Sequence, residues 1–143
     1  MRTGLFLSRA RGAISDAIDL DQLAAAYPGI DVVKVYDDFF SARDQEDLAN
    51  CVRSSGLDAV VLGGNSPKYY EDSLSGFLLL NELEELGINP NRIAFANLLE
   101  QTAYLHASDP RAARVKAKAY IDIALARLRT STEIEELETA TSW

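Results

Sequence analysis

The segment Asp58 to Tyr70, Asp-Ala-Val-Val-Leu-Gly-Gly-Asn-Ser-Pro-Lys-Tyr-Tyr, narrows the choice of fold more than any other part of the chain. Ala59 to Leu62 is apolar on both faces, β-branched at its centre and too short for a helix. That is the pattern of a strand buried on both sides of a parallel sheet. Gly63-Gly64 removes side chains where the strand ends, and Asn65-Ser66-Pro67 supplies a helix cap followed by proline in the first turn. In open α/β sheets ligands bind outside the carboxyl ends of the strands, so this loop is the first place to look for function.

The flanking segments fit the same scheme. Thr3 to Leu7 forms a first strand and Ser8 to Gly12 a loop. Ser15 to Tyr27 is expected to be a helix, with Ile18, Leu23, Ala26 and Tyr27 at helical spacing, Ser15 as N-cap, and Asp16 and Asp19 favourable to the dipole. Pro28-Gly29 ends it, and Val32, Val33, Val35 and Tyr36 make a second strand. After the loop Asp37 to Ala42, Arg43 to Ser55 fits a helix with Leu48, Cys51 and Val52 inward and Gly56 as its capping glycine. Tyr69 to Leu86 has the clearest helical spacing, through Leu74, Phe77, Leu78, Leu83 and Leu86, and Gly87 closes it. Ile88 to Asn91 is turn chemistry, Arg92 to Ala96 a fourth strand, and Asn97 to His106 is open between loop and helical turn. Ser108-Asp109-Pro110 starts a last helix through about Arg129.

This alternation predicts an α/β, three-layer, Rossmann/flavodoxin-like domain: a mostly parallel sheet of about four strands with helices on both faces. Residues 1–130 form one domain, and residues 131–143 an acidic, flexible C-terminal tail. Trp143 either packs on a neighbouring subunit or is disordered.

A length of 143 residues suits a single domain with a real core. The net charge of −8 opposes binding to nucleic acid or an anionic membrane. Leu5 to Leu7 is too short for a secretory signal and no run approaches a membrane span, so a cytoplasmic location is expected. The single Cys51 excludes an internal disulfide and any multi-cysteine metal site, and the single His106 excludes a multi-histidine one. We therefore expect no cofactor and no metal.

Gly63-Gly64-Asn65-Ser66 is either a tight strand-to-helix turn or a phosphate cradle, though it lacks both G-x-G-x-x-G and the Walker lysine spacing. Arg9 and Arg11 either hold an anion or face solvent. Ser66, His106 and an aspartate make a hydrolase triad on paper, without a G-x-S-x-G elbow. Asp37-Asp38 and Glu84-Glu85 are expected to be surface charge. The basic residues Arg111, Arg114, Lys116, Lys118, Arg127 and Arg129 and the acidic tail form either solvated faces or contacts for a partner.

Four stretches in register carry a resemblance: Val60-Val61-Leu62-Gly63-Gly64-Asn65-Ser66-Pro67-Lys68, Leu86-Gly87-Ile88-Asn89-Pro90, Ala96-Asn97-Leu98-Leu99-Glu100-Gln101 and His106-Ala107-Ser108-Asp109-Pro110. From Gly4 to about Arg129 the chain resembles the N-terminal domain of the A subunit of heterodisulfide reductase. The resemblance implies kinship with flavin and iron-sulfur proteins whose N-terminal cysteines bind a cluster. Those cysteine positions fall here on Ser8 to Ala10, near Ser41, on Asn65 and on Thr102, and none is a thiol. No flavin-binding or ferredoxin-type cysteine motif is present. The former cluster pocket is expected to persist with a polar lining of Ser8, Ser41, Asn65 and Thr102.

The resemblance thus implies a free-standing, cluster-less, non-catalytic binding or accessory module that docks on a redox complex or on its own copies. Two alternatives stand beside it. One is a small-molecule, anion or nucleotide-phosphate binder using Gly63, Gly64, Asn65 and Ser66, with Ser8, Ser41 and Thr102 nearby. The other is a small enzyme using His106.

Overall fold

In the computed structural model, which describes residues 1–103 and 108–141, four parallel strands pair in the order β2-β1-β3-β4. They are β1 (Thr3–Ser8), β2 (Val32–Tyr36), β3 (Ala59–Gly64) and β4 (Ile93–Asn97). Between and after them come α1 (Leu20–Ala24), α2 (Ala42–Ser55), α3 (Pro67–Asp72), α4 (Leu74–Glu85) and α5 (Pro110–Thr141). The register sets Leu5 between Val33 and Val61, and Leu7 between Val35 and Gly63. Every residue of β1 and β3 is buried, as central strands of a parallel sheet must be.

Alternation along the strands divides the core in two. Leu5, Leu7, Ala59, Val61, Ala94 and Ala96 face α1 and α5, which supply Leu23, Ala113, Ala117, Ile121, Ala124 and Leu128. Phe6, Val60 and Leu62 face the other way, against Leu48 and Val52 of α2, Tyr70 of α3, and Leu79 and Leu83 of α4. The result is the expected three-layer α/β arrangement, with the sheet entirely parallel. Small residues on β4 let α5 approach the sheet through its own alanines at three- and four-residue steps.

Several boundaries differ from the sequence pattern for local reasons. The first helix is only Leu20–Ala24, and its N-cap is Asp19, whose carboxylate accepts from Gln22 N at 3.1 Å, not Ser15. Residues 13–18 instead form irregular turns closed by bonds such as Ile14 N to Arg9 O at 3.0 Å, although Ile14 and Ile18 are buried as a helix face would be. The long helix expected from Tyr69 to Leu86 is two helices. Ser73 breaks it in extended geometry (φ −109°, ψ 144°) and caps α4 by accepting from Gly76 N at 3.0 Å. As a consequence Leu74, Phe77 and Leu78, part of the apolar spacing that predicted the helix, face solvent.

Elsewhere the chain follows its signals closely. Ser41 caps α2 and Gly56 ends it at φ 60°. Asp109 caps α5 through Ala112 N at 3.1 Å, ahead of Pro110. That helix continues past Arg129 to Thr141, held to the turn before β4 by an Arg92–Glu135 ion pair at 2.8 Å. Among the described residues no helix is long and apolar enough to cross a membrane. Trp143 lies outside the described residues.

The break between α3 and α4 is packed backbone to backbone. A methyl group at Gly76 would lie 2.5 Å from Tyr70 Cα and 2.9 Å from Tyr70 O. Neither is a flexible side-chain end, so we expect Gly76→Ala to lower stability by about 1–3 kcal/mol. A denaturant melt checks this, and an unchanged midpoint would show that α3 and α4 are not seated this tightly.

Candidate functional site

A sheet of order β2-β1-β3-β4 reverses its winding between β1 and β3, and such a switch point opens a crevice beyond the carboxyl ends of the two strands. Here the crevice is bordered by Ser8, which ends β1, and by Gly63 to Ser66, at the end of β3 and just beyond it. The loops after β2 and β4 bring Ser41 and Thr102 to the same end of the sheet. All seven residues singled out as ligand-binding candidates therefore lie at one end of the domain, at the ends of β1 and β3 or in the segments that follow β2, β3 and β4. His106 lies outside the described residues.

The loop after β1 is unusual in its backbone. Ala10 (φ 49°), Arg11 (φ 55°) and Gly12 (φ 102°) are consecutive left-handed residues. Each non-glycine there costs roughly 1–2 kcal/mol, so neighbouring bonds must hold the shape. Arg9 N donates to Tyr36 O at 2.8 Å, Arg11 N to Asp37 O at 3.0 Å, and Ala10 N to Ser8 Oγ at 3.0 Å. Arg11 Nε then donates to Asp38 Oδ2 at 2.8 Å. The second Asp38 oxygen accepts from Phe40 N at 3.0 Å.

Asp38 is consequently 8% exposed, which corrects the expectation that Asp37-Asp38 is surface charge. Only Asp37 is on the surface; Asp38 is buried because each of its oxygens has a donor. Arg11 is likewise committed to Asp38 while its side chain stays mostly exposed.

The glycine pair serves close approach. Neither Gly63 nor Gly64 has a left-handed φ. A Cβ at Gly64 would come within 3.2 Å of Ser8 Cβ and 3.3 Å of the Phe39 ring, and one at Gly63 within 2.7 Å of Leu7 Cδ2. The fully buried Phe39 thus sits over Gly64, and Leu98 covers Gly63 while its N–H donates to Gly64 O at 2.8 Å. The chain's own side chains fill the crevice at the switch point.

The polar candidates turn inward in the same way. Ser41 Oγ donates to Asp38 O at 3.1 Å and accepts from Asp44 N at 3.2 Å. Thr102, fully buried, donates its hydroxyl to Leu98 O in a single wide helical turn that Ala103 N also closes on Leu98 O at 2.8 Å. Asn65 and Ser66 stay at the half-buried rim, and Ser66 occupies the N-cap of α3 without a side-chain capping bond.

Beside the rim lies an aromatic cluster. Phe40 packs against Tyr69 and Tyr70, with ring centroids 4.8 and 5.4 Å away, and Tyr70 packs on Phe95 at 4.9 Å. Tyr70 is fully buried, and its hydroxyl has no hydrogen-bond partner among the described residues. Burial first, and then the Asp38 charge, push its pKa well up. Tyr36 donates to Asp47 Oδ2 at 2.6 Å, and Tyr27 to Asp122 Oδ1 at 2.8 Å. Burial and those carboxylates raise both phenols. Asp47 is in turn held below the usual carboxylate range by the Tyr36 and Lys34 hydrogen bonds.

Sequence reasoning missed Asp38, Phe39 and Tyr70. The one signal available was the run Asp38-Phe39-Phe40, two aromatics inside a loop otherwise expected to be polar.

Among the described residues no group of three or more His, Cys, Asp or Glu side chains could hold a metal ion. Iron-sulfur clusters are held overwhelmingly by thiolates. The hydroxyls and amide of Ser8, Ser41, Asn65 and Thr102 do not match that donor set, and Cys51 lies within α2, away from these loops.

The comparisons with known proteins bear on the same region. No protein-family model matches the chain. It is 29% identical, over 137 residues covering 94% of its length, to the A subunit of the H(2):CoB-CoM heterodisulfide,ferredoxin reductase of Methanothermobacter thermautotrophicus. It is 25% identical over 141 residues to an iron-sulfur A subunit of the CoB--CoM heterodisulfide reductase of Methanopyrus kandleri, covering 96% of the chain. A third relative, the iron-sulfur A subunit of the Methanocaldococcus jannaschii enzyme, is 23% identical over 138 residues. The chain spans about 20% of the length of each of these relatives. It therefore resembles one segment of the heterodisulfide reductase A subunit, as the four stretches in register implied.

Two measurements follow from the phenols. Tyr70→Phe removes a buried hydroxyl that has no partner among the described residues, so we expect it to raise stability by about 1 kcal/mol or more. A loss in the denaturant melt would show the hydroxyl to be satisfied. Because Tyr27, Tyr36 and Tyr70 are harder to ionise folded than unfolded, folding stability is not altered by them below about pH 10 and falls as pH rises above it. Their phenolate absorbance should appear in one late step together with loss of the far-ultraviolet circular dichroism. Smooth ionisation of all tyrosines near pH ~10 in a protein still folded would contradict the bonds to Asp47 and Asp122.

Proposed function

We propose that the chain is a non-catalytic binding or accessory module of a redox complex of the heterodisulfide reductase type, without an iron-sulfur cluster of its own. One observation carries this reading. The chain aligns along nearly its whole length with one segment of the A subunit of such an enzyme. Yet the loops where the resemblance expects cluster cysteines carry Ser8, Ser41, Asn65 and Thr102. Three of these side chains are spent on internal hydrogen bonds. A scaffold that keeps the strand-end loops and lacks their thiolates suits docking better than electron transfer.

A second reading, binding of a small molecule, anion or nucleotide phosphate at Gly63 to Ser66, draws on the half-buried Asn65 and Ser66 at the rim. It has less support, because Phe39 and Leu98 occupy the space over the two glycines. For catalysis through His106 the support is the sequence alone, since that residue lies outside the described residues.

The test combines composition with binding. Protein purified without oxygen is expected to be colourless and to contain no stoichiometric iron or sulfide. Immobilised, it is expected to retain a purified heterodisulfide reductase complex. Stoichiometric iron with broad visible absorption would overturn the cluster-less reading, and failure to retain the complex would overturn the accessory one.

A further inference from the structure

Among the described residues, α4 and α5 each carry an outward apolar face, on opposite layers of the domain. The first belongs to α4. Its inner side is Gly76, Leu79 and Leu83, but the outer side of its first two turns is apolar as well. Leu74 is 74% exposed, Phe77 58% and Leu78 49%, and their three- and four-residue spacing puts them on one face. A surface helix ordinarily shows a single apolar stripe, and one that is apolar on both sides is normally covered on both. Exposed carboxylates bracket this face: Glu71 and Asp72 before it, Glu82, Glu84 and Glu85 after it. None has an ion-pair partner among the described residues.

The second face belongs to α5. With Ala113, Ala117, Ile121 and Ala124 turned to the sheet, Val115, Ala119 and Ile123 repeat at four-residue steps on the outside. Val115 is 63% exposed and Ile123 49%. Here the neighbours are basic. Arg111, Lys116 and Arg127 have no ion-pair partner among the described residues, while Lys118 and Asp122 neutralise each other at 2.9 Å.

We propose that the acidic-rimmed α4 face of one copy docks on the basic-rimmed α5 face of a second copy of this chain. Charge selects the pairing. Two α4 faces brought together would oppose uncompensated carboxylates on a chain of net charge −8, whereas α4 against α5 sets them opposite unpaired arginines and a lysine. Because the two helices cover opposite faces of the sheet, the contact is head to tail. Each docked pair leaves one face of each kind free, so further copies can add and the contact does not close as a twofold dimer. A standard interface buries about 800 Å² per partner, more than these few side chains supply, so the contact is weak and salt-sensitive. This goes beyond the accessory role and is independent of it, since it requires only this chain.

Sedimentation equilibrium on the purified protein, from about 10 μM to about 1 mM, tests it. The weight-average mass is expected to climb above the monomer's 15.7 kDa with concentration and to fall back at high salt. Phe77→Asp spoils one face and Ile123→Asp the other, both at exposed positions, with circular dichroism confirming the fold. Each variant alone is expected to stay monomeric. Mixed in equal amounts they are expected to form a one-to-one pair and nothing larger, since each still carries the face the other needs. The proposal is overturned if the wild type stays monomeric throughout, if either variant associates like the wild type, or if the mixture remains monomeric.

Discussion

Everything in this domain depends on covering two strands from both sides. β1 and β3 expose none of their residues, and their hydrogen bonds leave no direction open except the two faces. One face needs α1 and α5, the other α2, α3 and α4, and parallel strands force each connection across the sheet. All the loops that follow strands are thereby collected at one end. The candidate site is a by-product of that covering: Ser8, Phe39 and Leu98 meet around Gly64 because four parallel strands must leave the sheet in the same direction.

This explains which parts could be read from the residues alone. Ala59 to Leu62 announces a two-sided strand by composition, and Ser41, Gly56, Asp109 and Pro110 mark helix ends through chemistry that acts within a few residues. Such local signals survive without knowledge of the rest. The errors arise where local signals compete. Apolar spacing across Ser73 implied one helix, but the serine caps a second helix and Gly76 is pressed onto Tyr70, so the spacing continues while the axis breaks. Ile14 and Ile18 are buried as a helix face would be, yet the left-handed turn at Ala10 to Gly12 delays the helix until Leu20.

The site divides in the same manner. That the candidate residues gather at one end of the sheet was legible, because the strand-end rule depends only on chain order. The contents of the site were not. Asp38 looks like one of two adjacent surface acids until Arg11 and the Phe40 amide are placed against it. Ser8 and Thr102 look like pocket lining until their hydroxyls are seen to serve the backbone two and four residues away. A polar side chain must find a partner when buried, and in this chain the nearest backbone supplies it.

The filling of the crevice rests chiefly on one ring. Phe39 is seated on Gly64 at the point where open α/β sheets ordinarily admit a ligand, and both residues are fully enclosed. Trimming the phenyl group would leave a void on the order of 100 Å³ over the Gly64 backbone beside Ser8, the kind of chamber that accepts small guests. The step from solid scaffold to receptor in this architecture is therefore a single truncation, taken at a loop residue and leaving the sheet untouched.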